Sequence, residues 1–147
     1  MFTGEYRHSL DEKNRIIVPS KYRSSLQGKF MATRGLDGCL ACYPTEEFQK
    51  YIDSLSSMPI ESKDVRQYIR TIMAKAEECE LDKQGRVVLP QRLREAASIT
   101  KDIVIAGANN RFEIWAAEIY EKYEEETLPL YEKMAEGLAD AAYKKGL

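Results

Sequence analysis

This 147-residue chain contains one segment twice. Residues 10–23 read LDEKNRIIVPSKYR and residues 81–94 read LDKQGRVVLPQRLR, at a constant offset of 71 positions. Five matched positions are identical, against roughly one expected by chance from ordinary amino-acid usage. Such a repeat indicates a fold built from two copies of one structural unit.

The two units are short for independent folding. Each has about 70 residues, which is marginal for an independent hydrophobic core, so we expect the halves to pack on each other or to interleave. After the motif the similarity continues with one inserted residue, which pairs Gly35 with Gly107 and Tyr43 with Trp115. The predicted parts are a first repeat, a connecting helix, a second repeat and a C-terminal helical tail, at residues 1–58, 59–76, 77–123 and 124–147.

Strands and turns are predicted at the start of each unit. Residues 2–10 alternate apolar and polar side chains, as in a half-buried strand. Asn14 and Gly85 occupy equivalent positions of the two repeats. Both residue types tolerate positive φ, so a turn is predicted at each position. Short β-branched strands at 15–18 and 86–89 follow, and each ends at a proline, which cannot continue a central ladder.

Hairpins and helices complete each unit, so the predicted fold class is α+β with flanking helices. Thr45, followed by two glutamates, is predicted to cap a helix. Helical spacing of apolar residues begins near Ser62, and Pro129 should break or kink the C-terminal helix. The hairpin strands are predicted at residues 30–34, 39–43, 102–107 and 111–115.

The charge is divided unevenly between the halves. The net charge of −2 argues at first against a nucleic-acid binder. Residues 1–73, however, carry 11 basic and 9 acidic side chains, and residues 74–147 carry 11 and 15. Eight of those 15 acidic residues lie in the last 30 positions, so the motif regions are locally basic.

Each copy of the motif contains Asp-x-x-x-Arg, as Asp11 and Arg15 and as Asp82 and Arg86. The aspartate can accept hydrogen bonds from the amides of its own turn. The arginine can pair with that aspartate, which would brace the turn without any ligand, or project outward to phosphates or base edges. Two equivalent arginines on two equivalent halves suit duplex DNA, a repeating polyanion.

Candidate DNA-binding residues follow from this arrangement. Arg15 and Arg86 are the predicted base readers, since arginine–guanine pairs are the commonest specific contact. The predicted phosphate contacts are Lys13, Lys21, Arg23, Lys83 and Arg94, and Arg7 belongs to the same basic cluster. The residues predicted to set the turns are Asp11, Asn14, Asp82 and Gly85.

Other candidate chemistry is weak. Cys39 and Cys42 have metal-ligand spacing, but they lie on a predicted strand, where residues three apart face opposite sides. His8 is the only histidine, so no tetrahedral metal set or catalytic triad is complete and no enzyme, metal or cofactor is predicted. Cys79 is expected in the core. The sequence contains three cysteines, an odd number, and no export signal, which argues against a disulfide framework. It also contains no apolar run near the roughly 20 residues of a membrane span. These features favour the cytoplasm.

Three stretches resemble the MraZ family of bacterial transcriptional regulators: residues 1–23, 33–44 and 78–90. The resemblance implies a swapped-hairpin barrel of the AbrB/SpoVT type (double-psi-like), in which paired hairpins interlock. It implies that Arg15 and Arg86 contact DNA. It also implies a homo-oligomeric ring and, as targets, short direct repeats upstream of the division and cell-wall gene cluster, and hence a nucleoid-associated protein.

Several alternatives remain open at this point. The C-terminal helix could pack within the ring or dock a partner, and the basic face of the middle helix, with Lys63, Arg66 and Arg70, could be solvated or graze DNA. The rival function is a protein-binding regulator, antitoxin-like or a scaffold, which uses the same barrel. A membrane and a small-molecule substrate are not expected among the partners.

Overall fold

A computed structural model describes residues 1–146 as two compact units. The first unit is Met1–Ala117 and the second begins at Glu118. No helix within these 146 residues is long and apolar enough to cross a bilayer.

Strands and helices alternate along the chain in two similar halves. The first half contains β1 (Glu5–Ser9), β2 (Arg15–Ile17), α1 (Ser20–Arg23), β3 (Lys29–Arg34), β4 (Leu40–Tyr43), α2 (Thr45–Ser56) and α3 (Lys63–Lys75). The second half contains β5 (Glu77–Glu80), β6 (Arg86–Val88), α4 (Gln91–Ala96), β7 (Asp102–Gly107), β8 (Phe112–Ala116) and α5 (Ala117–Thr127). A 3-10 turn at Leu128–Leu130 and helix α6 (Tyr131–Lys144) follow.

The strands show that the two halves interleave. Six of them form one antiparallel sheet in the order β1-β7-β8-β4-β3-β5, and β2 pairs with β6 in a separate two-stranded ribbon. The order is symmetric: β5, β7 and β8 of the second half are equivalent to β1, β3 and β4 of the first. The first strand of each half pairs with the third strand of the other half, β1 with β7 and β5 with β3. The α+β fold class and the interleaving of the repeats are therefore confirmed.

Aromatic side chains from both halves fill part of the core. Phe112 packs against Phe2, Tyr22 and Phe30, with ring centroids 5.2–5.5 Å apart. The buried Tyr22 satisfies its hydroxyl by donating to the carbonyl of Thr3 at 2.7 Å. These rings come from both halves, so their burial in one cluster holds the halves together.

The N-terminal residues lie across the end of β7. Predicting one strand over residues 2–10 was wrong at its start, because Gly4 has φ +88° and turns the chain before β1. Phe2 instead makes an isolated bridge to Asn109, and the amide of Gly107 donates to the carbonyl of Gly4 at 2.9 Å. A Cβ on Gly107 would lie 2.5 Å from the backbone of Phe2 and of Thr3.

Some local predictions need correction. Thr45 is not the cap of α2, since it is already the first helical residue and the preceding Pro44 makes no side-chain cap bond. β7 (Asp102–Gly107) has the predicted bounds, and its hairpin turn is one residue shorter than that of the first half. Ser62 does cap α3, accepting from the Val65 amide at 3.4 Å, and Pro129 lies in the turn that separates α5 from α6.

Candidate nucleic-acid interface

The loop before β2 is organised by the carboxylate of Asp11. One oxygen, Oδ1, accepts from the amides of Lys13 and Arg15, both at 2.9 Å. The other, Oδ2, accepts from Nε of Arg15 at 2.6 Å. Asn14 closes the loop with φ +58°, a backbone conformation that asparagine tolerates better than most residues.

The loop before β6 repeats the same hydrogen bonds. Oδ1 of Asp82 accepts from the amides of Gln84 and Arg86, both at 2.9 Å, and Oδ2 accepts from Nε of Arg86 at 2.8 Å. Gly85, with φ +76°, stands where Asn14 stands in the first loop. The two loops are thus the same braced structure used twice.

The hydrogen bonds hold the pKa of both aspartates below the ordinary value of 3.8. The largest contribution is the arginine amide that donates to each carboxylate, and the arginine side chain lowers the pKa further. Because each pKa is lowered on folding, the brace stabilises the loop above the ordinary pKa and is lost as the pH falls through the lowered folded-state value.

We expect Arg15→Ala to raise the pKa of Asp11 towards 3.8 and to leave the pKa of Asp82 unchanged, because only the first loop loses its charged donor. Carbon-detected NMR titration of the side-chain carboxyls measures both values in one sample. A pKa of Asp11 that stays the same or falls would contradict the braced geometry, and Arg86→Ala should give the mirror result.

Pairing of β2 with β6 brings the two loops to opposite ends of the ribbon. Arg15 lies across from Val88 and Ile17 lies across from Arg86. The loops also bond to the opposite strand, since the Val18 amide donates to Gly85 and the Leu89 amide donates to Asn14, both at 2.9 Å. The central pair, Ile16 and Val87, is buried. We call the other side, with Arg15, Ile17, Arg86 and Val88, the outer face of the ribbon.

Each arginine on the outer face keeps part of its guanidinium free. Nε is used by the aspartate, and within residues 1–146 the side chains of Arg15 and Arg86 form no second hydrogen bond. These side chains are 23% and 31% exposed. Each arginine can therefore brace its loop and also donate hydrogen bonds to DNA. The aspartate orients the guanidinium through Nε, and the Nη donors remain available.

Two other predicted contacts have internal partners. Nε of Arg23 donates to the carbonyl of Val18 at 2.9 Å, and Nε of Arg94 donates to that of Leu89 at 3.0 Å. The guanidinium of Arg23 also lies against the Cα of Gly85, where a side chain would displace it. Sequence reasoning missed this bracing of the ribbon ends, although an arginine four residues after each proline was a visible signal.

The remaining candidates are exposed but scattered. Lys13 and Lys83 lie in the two braced loops, and Lys21 lies on α1. Arg7 is on β1, at one edge of the six-stranded sheet rather than on the ribbon. On α3, Nη1 of Arg66 donates to the carbonyls of Ile60 and Glu61, both at 2.9 Å, so it has a local structural role.

The cysteines are core residues. Cys39, Cys42 and Cys79 are buried and form no disulfide, and Cys39 lies just before β4 rather than on it. Burial raises the pKa of the Cys39 and Cys79 thiols to about 12. Across the described part of the chain, no three His, Cys, Asp or Glu side chains are grouped to hold a metal ion.

Comparison with known proteins agrees with the twofold architecture. The model of a family described as "MraZ protein, putative antitoxin-like" matches this chain twice, over residues 1–71 and 72–140. A Heliobacterium modesticaldum protein named "Transcriptional regulator MraZ" is 47% identical over 140 residues, which cover 95% of this chain and 98% of that protein. A protein of the same name from Clostridium beijerinckii is 48% identical, and the match covers 95% of this chain and 98% of that protein. Another from Lactiplantibacillus plantarum is 46% identical, and the match covers 95% of this chain and 99% of that protein. The chain belongs to the MraZ family.

Proposed function

We propose that this protein is a transcriptional regulator that binds double-stranded DNA sequence-specifically through the outer face of the ribbon. The relatives' shared name supports the regulatory role. The single observation that carries the DNA contact is the pair of aspartate-braced arginines on one solvent-facing ribbon. A two-stranded ribbon fits the major groove of B-DNA, where an arginine fork can donate to O6 and N7 of guanine.

Phosphate contacts in this proposal come from the edges of the ribbon. Lys13 and Lys83 are exposed in the loops that flank Arg15 and Arg86, and Lys21 lies on α1, four residues after the end of β2. We assign Arg23 and Arg94 a supporting part, because their Nε atoms hold the ribbon ends. Their remaining donors can still face a phosphate.

We further propose a homo-oligomeric ring that engages short direct repeats upstream of the division and cell-wall gene cluster. One ribbon is a small surface, so tight binding requires several subunits to act on successive repeats. Support for self-association comes from the C-terminal segment, where large apolar side chains are at least 46% exposed: Leu128, Leu130, Tyr131, Met134 and Leu138. Such a regulator would work in the cytoplasm, on the nucleoid.

Footprinting on the DNA upstream of the protein's own gene tests the proposal. We expect protected segments spaced by about one helical turn, roughly 10 base pairs, as neighbouring subunits contact successive repeats. The logarithm of the affinity should fall linearly with the logarithm of the salt concentration, because lysines and arginines release counterions from the phosphates. Absent protection, or protection that salt does not weaken, would contradict it.

The second candidate is a protein-binding regulator, which the antitoxin-like description of the family favours. Its contact surface would be the exposed apolar side chains of the C-terminal helices. Capture of a protein partner that depends on Leu138, together with no DNA protection at any salt concentration, would favour this candidate over the DNA-binding one.

A further inference from the structure

Two exposed apolar side chains share the outer face of the ribbon with the arginines. Ile17 is 46% exposed and Val88 is 56% exposed, although both are β-branched residues that usually pack inside a sheet. They occupy equivalent places in the two repeats, and the residues next to them, Ile16 and Val87, supply the buried contacts. Core packing therefore does not explain why these two positions are apolar.

The register puts each apolar side chain beside an arginine of the other repeat. Arg15 faces Val88 and Ile17 faces Arg86. Both are non-hydrogen-bonded pairs, since the ladder bonds run from Val18 to Gly85 and from Leu89 to Asn14 on either side of them. Side chains approach most closely in pairs of this kind, with Cα atoms about 4.5 Å apart.

This juxtaposition matches the chemistry of two neighbouring bases. In the major groove an arginine fork donates to guanine, and an apolar side chain contacts the 5-methyl group of thymine. Successive bases of one strand are about 3.4 Å apart along the helix axis, close to the separation of a cross-strand pair. We propose that Ile17 and Val88 contact thymine methyl groups within one or two base steps of the guanines read by Arg86 and Arg15.

The inference rests on the proposed function and adds a requirement to it. Isoleucine and valine are short, so they touch a base only when the ribbon itself enters the groove. A protein held by phosphate contacts alone would leave both side chains in solvent. The thymine contact therefore distinguishes insertion of the ribbon from binding across the backbone.

Deoxyuridine substitution tests the contact directly. A duplex is first selected from a random-sequence pool with the wild-type protein, and each thymine is then replaced in turn by deoxyuridine, which pairs with adenine but lacks the methyl group. We expect about a fourfold loss of affinity at the contacted thymines, the effect of one buried methyl-sized group, and no loss at the others.

Protein variants assign each thymine to a side chain. Ile17→Ala should abolish the deoxyuridine effect at one set of thymines, and Val88→Ala should abolish it at the other. Leu36→Ala is the matched control, because Leu36 is 67% exposed between β3 and β4, away from the ribbon, and this variant should keep the full effect. Thermal unfolding checks that the variants are folded, and the wild-type comparison of duplexes needs no variant.

The outcomes separate the inference from the proposed function. If the wild type enriches no sequence, the proposed function fails and the inference fails with it. If a sequence is enriched and Arg15→Ala loses it, but every deoxyuridine duplex binds like its parent, the thymine contact is overturned while DNA binding stands. If the alanine variants instead change the subunit number and leave the deoxyuridine effect intact, Ile17 and Val88 cover another copy of the chain, which also overturns it.

Discussion

The double variant Arg15→Ala, Arg86→Ala should bind the selected DNA at least about thirtyfold more weakly than the wild type. A good arginine–guanine pair contributes about 1–3 kcal/mol of discrimination, and a tenfold change in affinity is about 1.4 kcal/mol. Two such pairs lost together give an effect of this size. The single variants should each give about the square root of it if the two repeats contribute equally and independently.

Lysine at the same positions separates charge from recognition. Arg15→Lys with Arg86→Lys keeps both positive charges but loses the planar fork that the aspartates orient. We expect this variant to keep the slope of affinity against salt and to lose most of the preference for the selected sequence over a scrambled one. Titration of both duplexes at three salt concentrations measures the two effects.

Arg70→Ala is the matched control for the arginine variants. Arg70 is exposed on α3, outside the ribbon, and belongs to the basic face that could graze DNA. Wild-type affinity in this variant would confine the contact to the ribbon, whereas a comparable loss would extend the interface to α3. Unchanged affinity and unchanged salt slope in the double ribbon variant would refute the proposed interface.

Gly107→Ala should lower the free energy of unfolding by about 3 kcal/mol, at the upper end of the usual range for overpacking. The added Cβ would lie 2.5 Å from the carbonyl carbon of Phe2 and from the amide nitrogen of Thr3. These are backbone atoms that cannot rotate away, and hydrogen bonds between Phe2 and Asn109 hold them in place at 2.8 and 3.0 Å. The N-terminal segment must therefore lift and expose Phe2, which is now 3% exposed.

Gly137→Ala is the control for this glycine. Gly137 lies in α6, where an added Cβ would meet no neighbouring side chain of the described residues within 4 Å. Alanine there should be neutral or stabilising by up to about 1 kcal/mol. Chemical denaturation measures the free energy of unfolding of both variants.

If lifting of the N-terminal segment is the cause, Phe2→Ala will lower the free energy of unfolding less in the Gly107→Ala background than in the wild type. A Gly107→Ala variant within about 0.5 kcal/mol of the wild type would contradict the close approach.

The ribbon strands could be predicted because their signals are local. A short run of β-branched residues, a turn residue that tolerates positive φ and a terminal proline define Arg15–Ile17 and Arg86–Val88 within one or two residues. The partners of the strands could not be predicted in the same way. Both repeats present nearly the same pattern, so pairing within a repeat and pairing between repeats satisfy it equally.

The hydrogen-bond partners of long side chains could not be predicted from the sequence either. Arg23 and Arg94 were grouped with the exposed lysines because all are basic residues near the motif, yet each bonds a backbone carbonyl of the ribbon. Gly4 gave a similar error, since its position in an alternating pattern hid the positive φ that turns the chain just before the first strand. Charge and periodicity predict where a residue lies more readily than which atom it bonds.

The pairing of β1 with β7 sets when this protein can fold during synthesis. The hydroxyl of Ser9 donates to the carboxylate of Asp102 at 2.7 Å, across 93 residues of chain. A ribosome that has released only the first repeat therefore exposes β1 with no ladder to join, and leaves the edge of β3 that does not pair with β4 unpaired. Closing so long a loop is entropically costly and slow, so folding must wait until the second repeat emerges. Until then the nascent chain is open to chaperones and to pairing with neighbouring chains on the same messenger RNA.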